Sequence, residues 1–559
     1  MSDYICQITR GATAEQKDII LSAGGILVNA CPGSGKTWTV SRLFVNRVRE
    51  KSDIKRGVAL LSYTNVAISE FRKFISDFEC DIGNTGVNYV GTLDSFVDRF
   101  IIMPYFYLLG VDDCPTCCGY SFSRSSRLNN DLRSYENALS GIERMEFCCG
   151  RMEFVTKNNY RYTSDDVLAK TRDILLTTKS YTHSMRRIMA LLILQNVAVR
   201  RCLSSRFVEI IMDEAQDTNI LTLCMLDLLK EVANQSFFIS LIGDERQTIY
   251  EFSGASIKYY KSYADKWLLH ELPLSRSFRF TNNVARDICA LFGQNYSHES
   301  EQEGYGIYLL NKTDFTGENV RCILKEFEVS EKDALLLMRG KVPYKIPLII
   351  KELMDVCRER DELLNIQSAY YNLVSLIKEH SLEESGAIQY GAVIPELWRL
   401  VRNREYIPSM NMPLSEWYKR ISHGFEYIFQ TMNIKIETDD AVDFVQRNGR
   451  CLVQELNVLR PQSIHSAKGC TCDGVFIIGD GKYWADVERY IKETKLNWNG
   501  NQASELRTIY VAMTRARKFV VLVRTDRAWN AQDAFWGNNL PKLCFDSSGE
   551  FKICKIGSE

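Results

Sequence analysis

Apolar runs of strand length recur along the chain, and each stops at glycine or at polar residues. Ile26-Leu-Val-Asn29 suits a buried strand, Pro32 to Gly35 then predict a tight loop, and a helical pattern runs from Lys36 to Val48. Val208-Glu-Ile-Ile-Met212 and Phe237-Phe-Ile-Ser-Leu-Ile242 predict further strands of a parallel sheet. Strands alternating with helices over residues 1–100 and 205–275 predict one α/β core. The stretch between, 101–204, is strongly helical in pattern from Asp165 to Val199 and is expected to be an inserted domain. Residues 276–340 and 456–559 predict a second α/β core, with a shorter helical insertion over 341–455. From Cys544 on, too few residues remain for a further domain. Ser297 to Gly304 is the clearest polar loop, and no internal repeat or long low-complexity tract is visible.

The loop after the first strand carries chemistry. Ala30-Cys-Pro-Gly-Ser-Gly-Lys-Thr37 has the strand–loop–helix context of a phosphate-binding loop. Gly33 and Gly35 let backbone N–H groups turn toward phosphate oxygens at a helix N-terminus. Lys36 is expected to reach the β- and γ-phosphates of ATP and Thr37 to ligate Mg²⁺. Ala30 stands where such loops usually begin with glycine. Asp213 and Glu214 follow the Val208–Met212 run, at the carboxyl end of a strand, where open α/β sheets collect ligands. Asp213 is expected to hold Mg²⁺ and Glu214 to orient the attacking water. Gln247 is a candidate γ-phosphate sensor, while Tyr250 and Phe252 are candidate base stackers or core aromatics.

In order along the chain, these residues resemble the UvrD/Rep family of superfamily 1 DNA helicases. Thr13-Ala-Glu-Gln16 looks like the family's adenine-reading segment, with Gln16 as reader. Leu61-Ser-Tyr-Thr-Asn65 and Gly91-Thr-Leu-Asp-Ser95 resemble segments that touch single-stranded DNA. Ser277-Phe-Arg279 resembles Asn-Tyr-Arg, which implies that Phe278 stacks on adenine and Arg279 contacts the γ-phosphate. Ser463 to Gly469 and Tyr510 to Arg517 resemble the last two motifs, with Arg515 as an arginine finger. The resemblance implies α/β architecture: two P-loop (RecA-like) parallel-sheet cores, each with a mainly helical inserted domain. It also implies DNA contacts at Tyr63, Thr64, Asn65, Thr92, Ser95, Tyr250, Phe252 and His465, and 3′-to-5′ movement.

Some positions depart from the family pattern. Val66 replaces a lysine, Asp94 a histidine, Ser253 an arginine, and Cys470-Thr-Cys472 replaces Leu-Glu-Phe. These changes put DNA affinity in doubt more than ATP hydrolysis.

Composition alters the picture little. The chain has 559 residues, 45% hydrophobic and 25% charged, which fits a globular protein of roughly three or four domains. A net charge of −1 is not that of a strongly basic nucleic-acid binder, although a local groove matters more than the sum. Arg186, Arg187, Arg200, Arg201 and Arg206 form one basic region, or else a solvated helix face. No signal peptide or 18-residue apolar span is visible, so no membrane partner and a cytoplasmic location are expected. The 18 cysteines are read as reduced thiols, and Cys114, Cys117, Cys148 and Cys149 as a zinc candidate of poor spacing.

Two functions compete. One is an ATP-dependent helicase or translocase on single-stranded or partly duplex DNA. The other is a DNA- or nucleotide-sensing ATPase subunit that licenses a separate nuclease and unwinds little. Short UvrD-like chains of this size resemble the helicase component of Gabija-type antiphage systems. A P-loop kinase or transporter motor would not need the separate segments around Arg279 and Arg515.

Overall fold

The computed structural model describes most of residues 2–338 and 461–554; within these spans 79–86, 112–120 and 123–133 are the longest stretches outside the described residues. Residues 339–460, where the second helical insertion is expected, also lie outside them.

Two parallel sheets organise the described chain. The first contains β1 (Ile26–Ala30), β2 (Gly57–Ser62), β3 (Tyr89–Thr92), β4 (Phe207–Met212), β5 (Phe238–Gly243) and β6 (His270–Leu274). Their spatial order is β6-β1-β5-β4-β2-β3, and every neighbouring pair is parallel. The central strands are buried on both faces, which is why they read as continuous apolar runs rather than as alternation. Both phosphate-loop and acid-pair strands are central, so their carboxyl ends open on the same edge.

One polar residue interrupts the β4 run. Glu209 is buried at the sheet centre, with Arg47 Nε 2.8 Å from Oε2 and Ser240 Oγ donating to Oε1 at 2.6 Å. Arg47 comes from the helix Lys36–Glu50 and also donates to Gly24 O at 3.2 Å. The buried charges are thus paired and hydrogen-bonded, as such burial requires.

The second sheet contains β7 (Gly306–Leu310), β8 (Ala334–Met338), β9 (Pro461–Ser463), β10 (Cys472–Gly479), β11 (Ala516–Arg524), β12 (Lys542–Phe545) and β13 (Phe551–Cys554). Its order is β9-β8-β10-β11-β7-β12-β13, parallel except for the β12–β13 edge hairpin. Each sheet has hydrophobic clusters on both faces.

Between β3 and β4 the described residues are mainly helical (Ser164–Thr178, His183–Leu194, Val197–Arg206), with a small antiparallel sheet formed by Ile142–Cys148, Arg151–Thr156 and Arg161–Thr163. Among the described residues no single helix is long and apolar enough to cross a membrane.

Candidate functional site

The phosphate loop is bracketed by the segment that enters the second sheet. Cys31 N donates to Leu274 O at 2.8 Å, Ser277 Oγ donates to Pro32 O at 2.7 Å, and Phe278 N donates to Gly33 O at 2.9 Å. Gly33 and Gly35 have φ of +77° and +72°, where a side chain would strain the backbone. A Cβ on Gly33 would also lie 2.3 Å from Arg279 Cβ, so only glycine permits this approach.

Gln16 closes a capping box with Thr13, and its Nε2 donates to Ser34 O at 3.2 Å. It therefore braces the loop as well as lining it. Next to it, Glu15 accepts from Ser275 N at 2.8 Å and Ser275 Oγ at 2.6 Å. Phe278 is 48% exposed beside the loop, with the Arg276 guanidinium 5.2 Å from its ring centre. Ala30, Cys31 and Ser34 are buried in the loop wall, and burial raises the Cys31 thiol far above its ordinary range. Thr37 sits in the first turn of the helix Lys36–Glu50.

Lys36 Nζ pairs with Glu214 Oε1 and lies 3.5 Å from Asp213 Oδ1. Burial works against its charge, but Glu214 and Asp213 outweigh burial and hold its pKa above the usual lysine range. For Glu214 the balance is similar: burial favours the neutral acid, yet Lys36 and Lys468 keep it well below the carboxylate range. Asp213 behaves differently, because burial dominates over Lys36 and pushes its pKa up to about 6. Ser62 Oγ donates to Asp213 Oδ2 at 3.3 Å, while the buried Oδ1 has no hydrogen-bond partner among the described residues. A buried carboxylate oxygen of this kind fits a hard divalent cation.

Glu214 has a left-handed backbone (φ +52°), costly for a non-glycine residue and found where function fixes direction. Gln216 holds it: Nε2 donates to Glu214 Oε2 at 2.6 Å, and Oε1 accepts from Asp244 N at 3.2 Å.

Across from these acids stand three cations of the second core. Arg279 is held by Thr514 O at 2.7 Å. Arg515 donates from Nε to Val511 O at 2.9 Å and from Nη2 to Gln247 Oε1 at 2.7 Å. Gln247 Nε2 in turn donates to Asp244 Oδ2 at 2.8 Å, so a polar chain crosses from one core to the other. Burial lowers the pKa of both arginines, for Arg279 with help from neighbouring Arg515, but guanidinium keeps its charge. Lys468 Nζ pairs with Asp217 Oδ2, donates to Gln247 O at 2.7 Å and lies 3.9 Å from Glu214 Oε2. Asp217, like Asp213, is pushed up to about 6 by burial, even with Lys468 beside it.

The candidate DNA residues divide into three groups. Asn65, Thr92 and Ser95 line one cavity of about 680 Å³ together with Arg72, Asp98 and Arg99. Thr64 and Thr92 are helix N-caps, each accepting from a backbone N–H at 3.2 Å. Tyr63 lies behind them, its hydroxyl donating to Thr218 Oγ1 at 3.0 Å and its ring packed on the first core. Tyr250 belongs with the second core, where its hydroxyl meets His465 O at 3.4 Å and the two rings are 6.2 Å apart. Phe252 and Ser253 lie outside the described residues.

The arginine cluster divides: three of its side chains are buried in ion pairs and two are exposed. Arg186, Arg187 and Arg200 are buried. Arg186 reaches Asp94 at 2.8 Å and Asp98 at 2.9 Å, Arg187 also pairs with Asp94, and Arg200 reaches Glu231 at 2.8 Å. Arg201 and Arg206 are exposed, the Arg206 guanidinium lying 4.9 Å from the Phe100 ring centre. Asp94, the acid found in place of a histidine, thus anchors the inserted helix His183–Leu194. Of the zinc candidates, Cys114, Cys117 and Cys149 lie outside the described residues, as does the side chain of Cys148.

Sequence reasoning passed over Lys468, Gln216 and Asp217. Lys468 stands inside the Ser463–Gly469 segment, and Gln216 and Asp217 follow closely on Asp213 and Glu214, which is the signal available, but their partners are set by the fold.

Residues 12–138 and 125–267 match the UvrD/REP helicase N-terminal domain. The chain is similar to a probable DNA helicase II homolog of Mycoplasma pneumoniae, 21% identical, with 91% of this chain and 83% of that protein covered. It is similar to Gabija protein GajB of Bacillus cereus at 21% identity, covering 92% of this chain and 96% of that one. A probable DNA helicase of Mycoplasma pneumoniae is also 21% identical, over 91% of this chain and 82% of that protein. Residues 12–267 thus match the UvrD/REP helicase N-terminal domain, and the chain as a whole resembles the UvrD-like DNA helicases.

Proposed function

We propose that this chain is an ATP-dependent DNA translocase or helicase that moves on single-stranded DNA in the 3′-to-5′ direction, within bacterial antiphage defence. The observation that carries the reading is the meeting of Arg279, Arg515 and Lys468 of the second core with Gly33 of the phosphate loop, Glu214 and Gln247 of the first. A triphosphate entering the loop replaces the Glu214 carboxylate as the partner of Lys36. Glu214, released from Lys36 but still faced by Lys468, then orients a water. Arg279 and Arg515 neutralise charge that develops on the γ-phosphoryl group, an effect typically worth about 10³–10⁵ in rate. Mg²⁺, held by Thr37 and Asp213, would supply further positive charge to the phosphate oxygens. Because these arginines sit on a different core from Lys36, cleft closure and hydrolysis are linked. Asn65, Thr92 and Ser95 on one core, and Tyr250 with His465 on the other, would grip the strand alternately.

A second reading has its own support. Asp94 neutralises Arg186 and Arg187 close to the candidate DNA cavity, and the similarity to GajB spans nearly all of that protein. Both favour a sensing ATPase subunit working with a separate nuclease. ATPase turnover with and without single-stranded DNA, paired with strand displacement on a 3′-tailed duplex, separates the two. Stimulation with displacement supports the motor; stimulation without displacement supports the sensor; no response to DNA removes the motor reading.

A further inference from the structure

The segment Gln247–Tyr250 leaves the first sheet but is held largely by the second. It begins at Asp244, which caps the short turn Glu245–Gln247 after β5. Lys468 then takes Gln247 O at 2.7 Å, and Arg515 takes Gln247 Oε1 at 2.7 Å. Arg507 Nε takes Thr248 O at 2.8 Å. Ile249 is buried in the second core's hydrophobic cluster, and Tyr250 follows with its hydroxyl on His465 O at 3.4 Å. Four consecutive residues of one core are anchored in the other.

Among these anchors Arg507 has no place in the chemistry described above. It stands on the helix Ala503–Met513, is 0% exposed, and its Nη1 also donates to Trp498 O. Burying a guanidinium is costly and is sustained only by the acceptors it reaches. A smaller residue would leave Thr248 O short of a donor inside the interface. We propose that Arg507 is a positioning residue that binds the Gln247–Tyr250 segment to the second core, so that closure sensed at Gln247 is delivered to Tyr250. Arg507 touches neither nucleotide nor DNA in this scheme; it acts through the backbone of Thr248. The functional part rests on the reading of the chain as a DNA-stimulated ATPase.

The test uses the full chain and the variants Arg507→Gln, Arg507→Lys and Ile249→Ala, with oligo(dT) as the DNA. The ratio of DNA-stimulated to basal ATPase turnover should fall about tenfold or more in Arg507→Gln and be partly restored in Arg507→Lys, which keeps one donor. Ile249→Ala, which loosens the same segment without disturbing a buried charge, should lower the same ratio. Amide hydrogen exchange of residues 248–250, measured without DNA, should accelerate about tenfold or more in Arg507→Gln while β5 stays protected. Basal and stimulated rates falling in equal proportion would mark a merely structural residue and overturn the proposal, as would unchanged exchange. If Arg507→Gln does not fold, a wild-type ratio in both Arg507→Lys and Ile249→Ala overturns it. A wild-type chain indifferent to DNA would defeat the functional reading alone, because the exchange measurement still judges the anchoring.

Discussion

Removing Lys468 should expose how the second core controls the acid that activates water. In the nucleotide-free arrangement Glu214 is held ionised by Lys36 and Lys468 together. Once Lys36 turns to phosphate, Lys468 is the lysine left facing Glu214, with Nζ 3.9 Å from Oε2. At an effective dielectric near 20, unit charges at that 3.9 Å separation attract by about 4 kcal/mol before solvent screening. Glu214 is partly exposed, and a reduction to about a third leaves about 1.4 kcal/mol, a factor of about ten in its ionisation. The sign follows from charge: without the cation, Glu214 binds its proton more readily. With Mg²⁺ saturating, so that Asp213 stays ionised, Lys468→Ala should therefore move the acid limb of the kcat–pH profile upward by about one pH unit. It also strips a donor from Gln247 O and leaves the buried Asp217 without its lysine partner, so kcat on the plateau should drop about tenfold or more. Adding Asp217→Asn removes the stranded carboxylate and should recover part of that drop, a non-additivity expected of side chains in contact. Steady-state ATPase assays across pH on the two single variants and the double variant give both quantities. Wild-type turnover with an unmoved acid limb in Lys468→Ala would refute the reasoning.

Other outcomes follow from neighbouring observations. Gly33→Ala should abolish most turnover in an ATPase assay, because its Cβ would fall 2.3 Å from Arg279 Cβ and φ is +77°; near-normal kcat would mean that the two cores do not approach here. Arg47→Met strands the buried carboxylate of Glu209 at the sheet centre and should cost about 3–5 kcal/mol, read as a lowered urea midpoint of the first unfolding transition. Burial raises Asp213 to about 6, so it takes up a proton as pH falls through that value and gives up a cation site. Turnover at limiting Mg²⁺ should then fall between about pH 7 and 5, and excess Mg²⁺ should shift the fall to lower pH; an acid limb indifferent to Mg²⁺ would exclude Asp213 as its source.

The candidate phosphate loop and acid pair were legible because their pattern is local. Pro32 to Thr37 form one turn and one helix start, and Asp213 and Glu214 end one apolar run, so neighbours in sequence are neighbours in space. The two parallel sheets were legible for a related reason: strands covered on both faces must be apolar throughout. Contacts made across hundreds of residues left no such trace. A lysine at 468 reads like any surface cation until the fold sets it against Asp217 and Gln247. The pairing of Arg186 and Arg187 was hidden for the same cause, since nothing near residue 186 reveals that Asp94 and Asp98 will meet them. Glu209 stands inside an apolar run, and nothing beside it in sequence points to its partner Arg47, which stands in another element. Tyr63 shows the limit of residue type as a guide: half of it does core work and its hydroxyl is spoken for by Thr218.

The central claim is that catalysis needs both cores around one triphosphate. Arg515→Ala, with nucleotide affinity measured by equilibrium binding of a fluorescent ATP analogue and kcat measured on the same preparation, addresses it most directly. The account predicts affinity within a few-fold of wild type and a kcat lower by about 10³ or more. Loss of affinity in step with kcat, or turnover that survives the substitution, would contradict it.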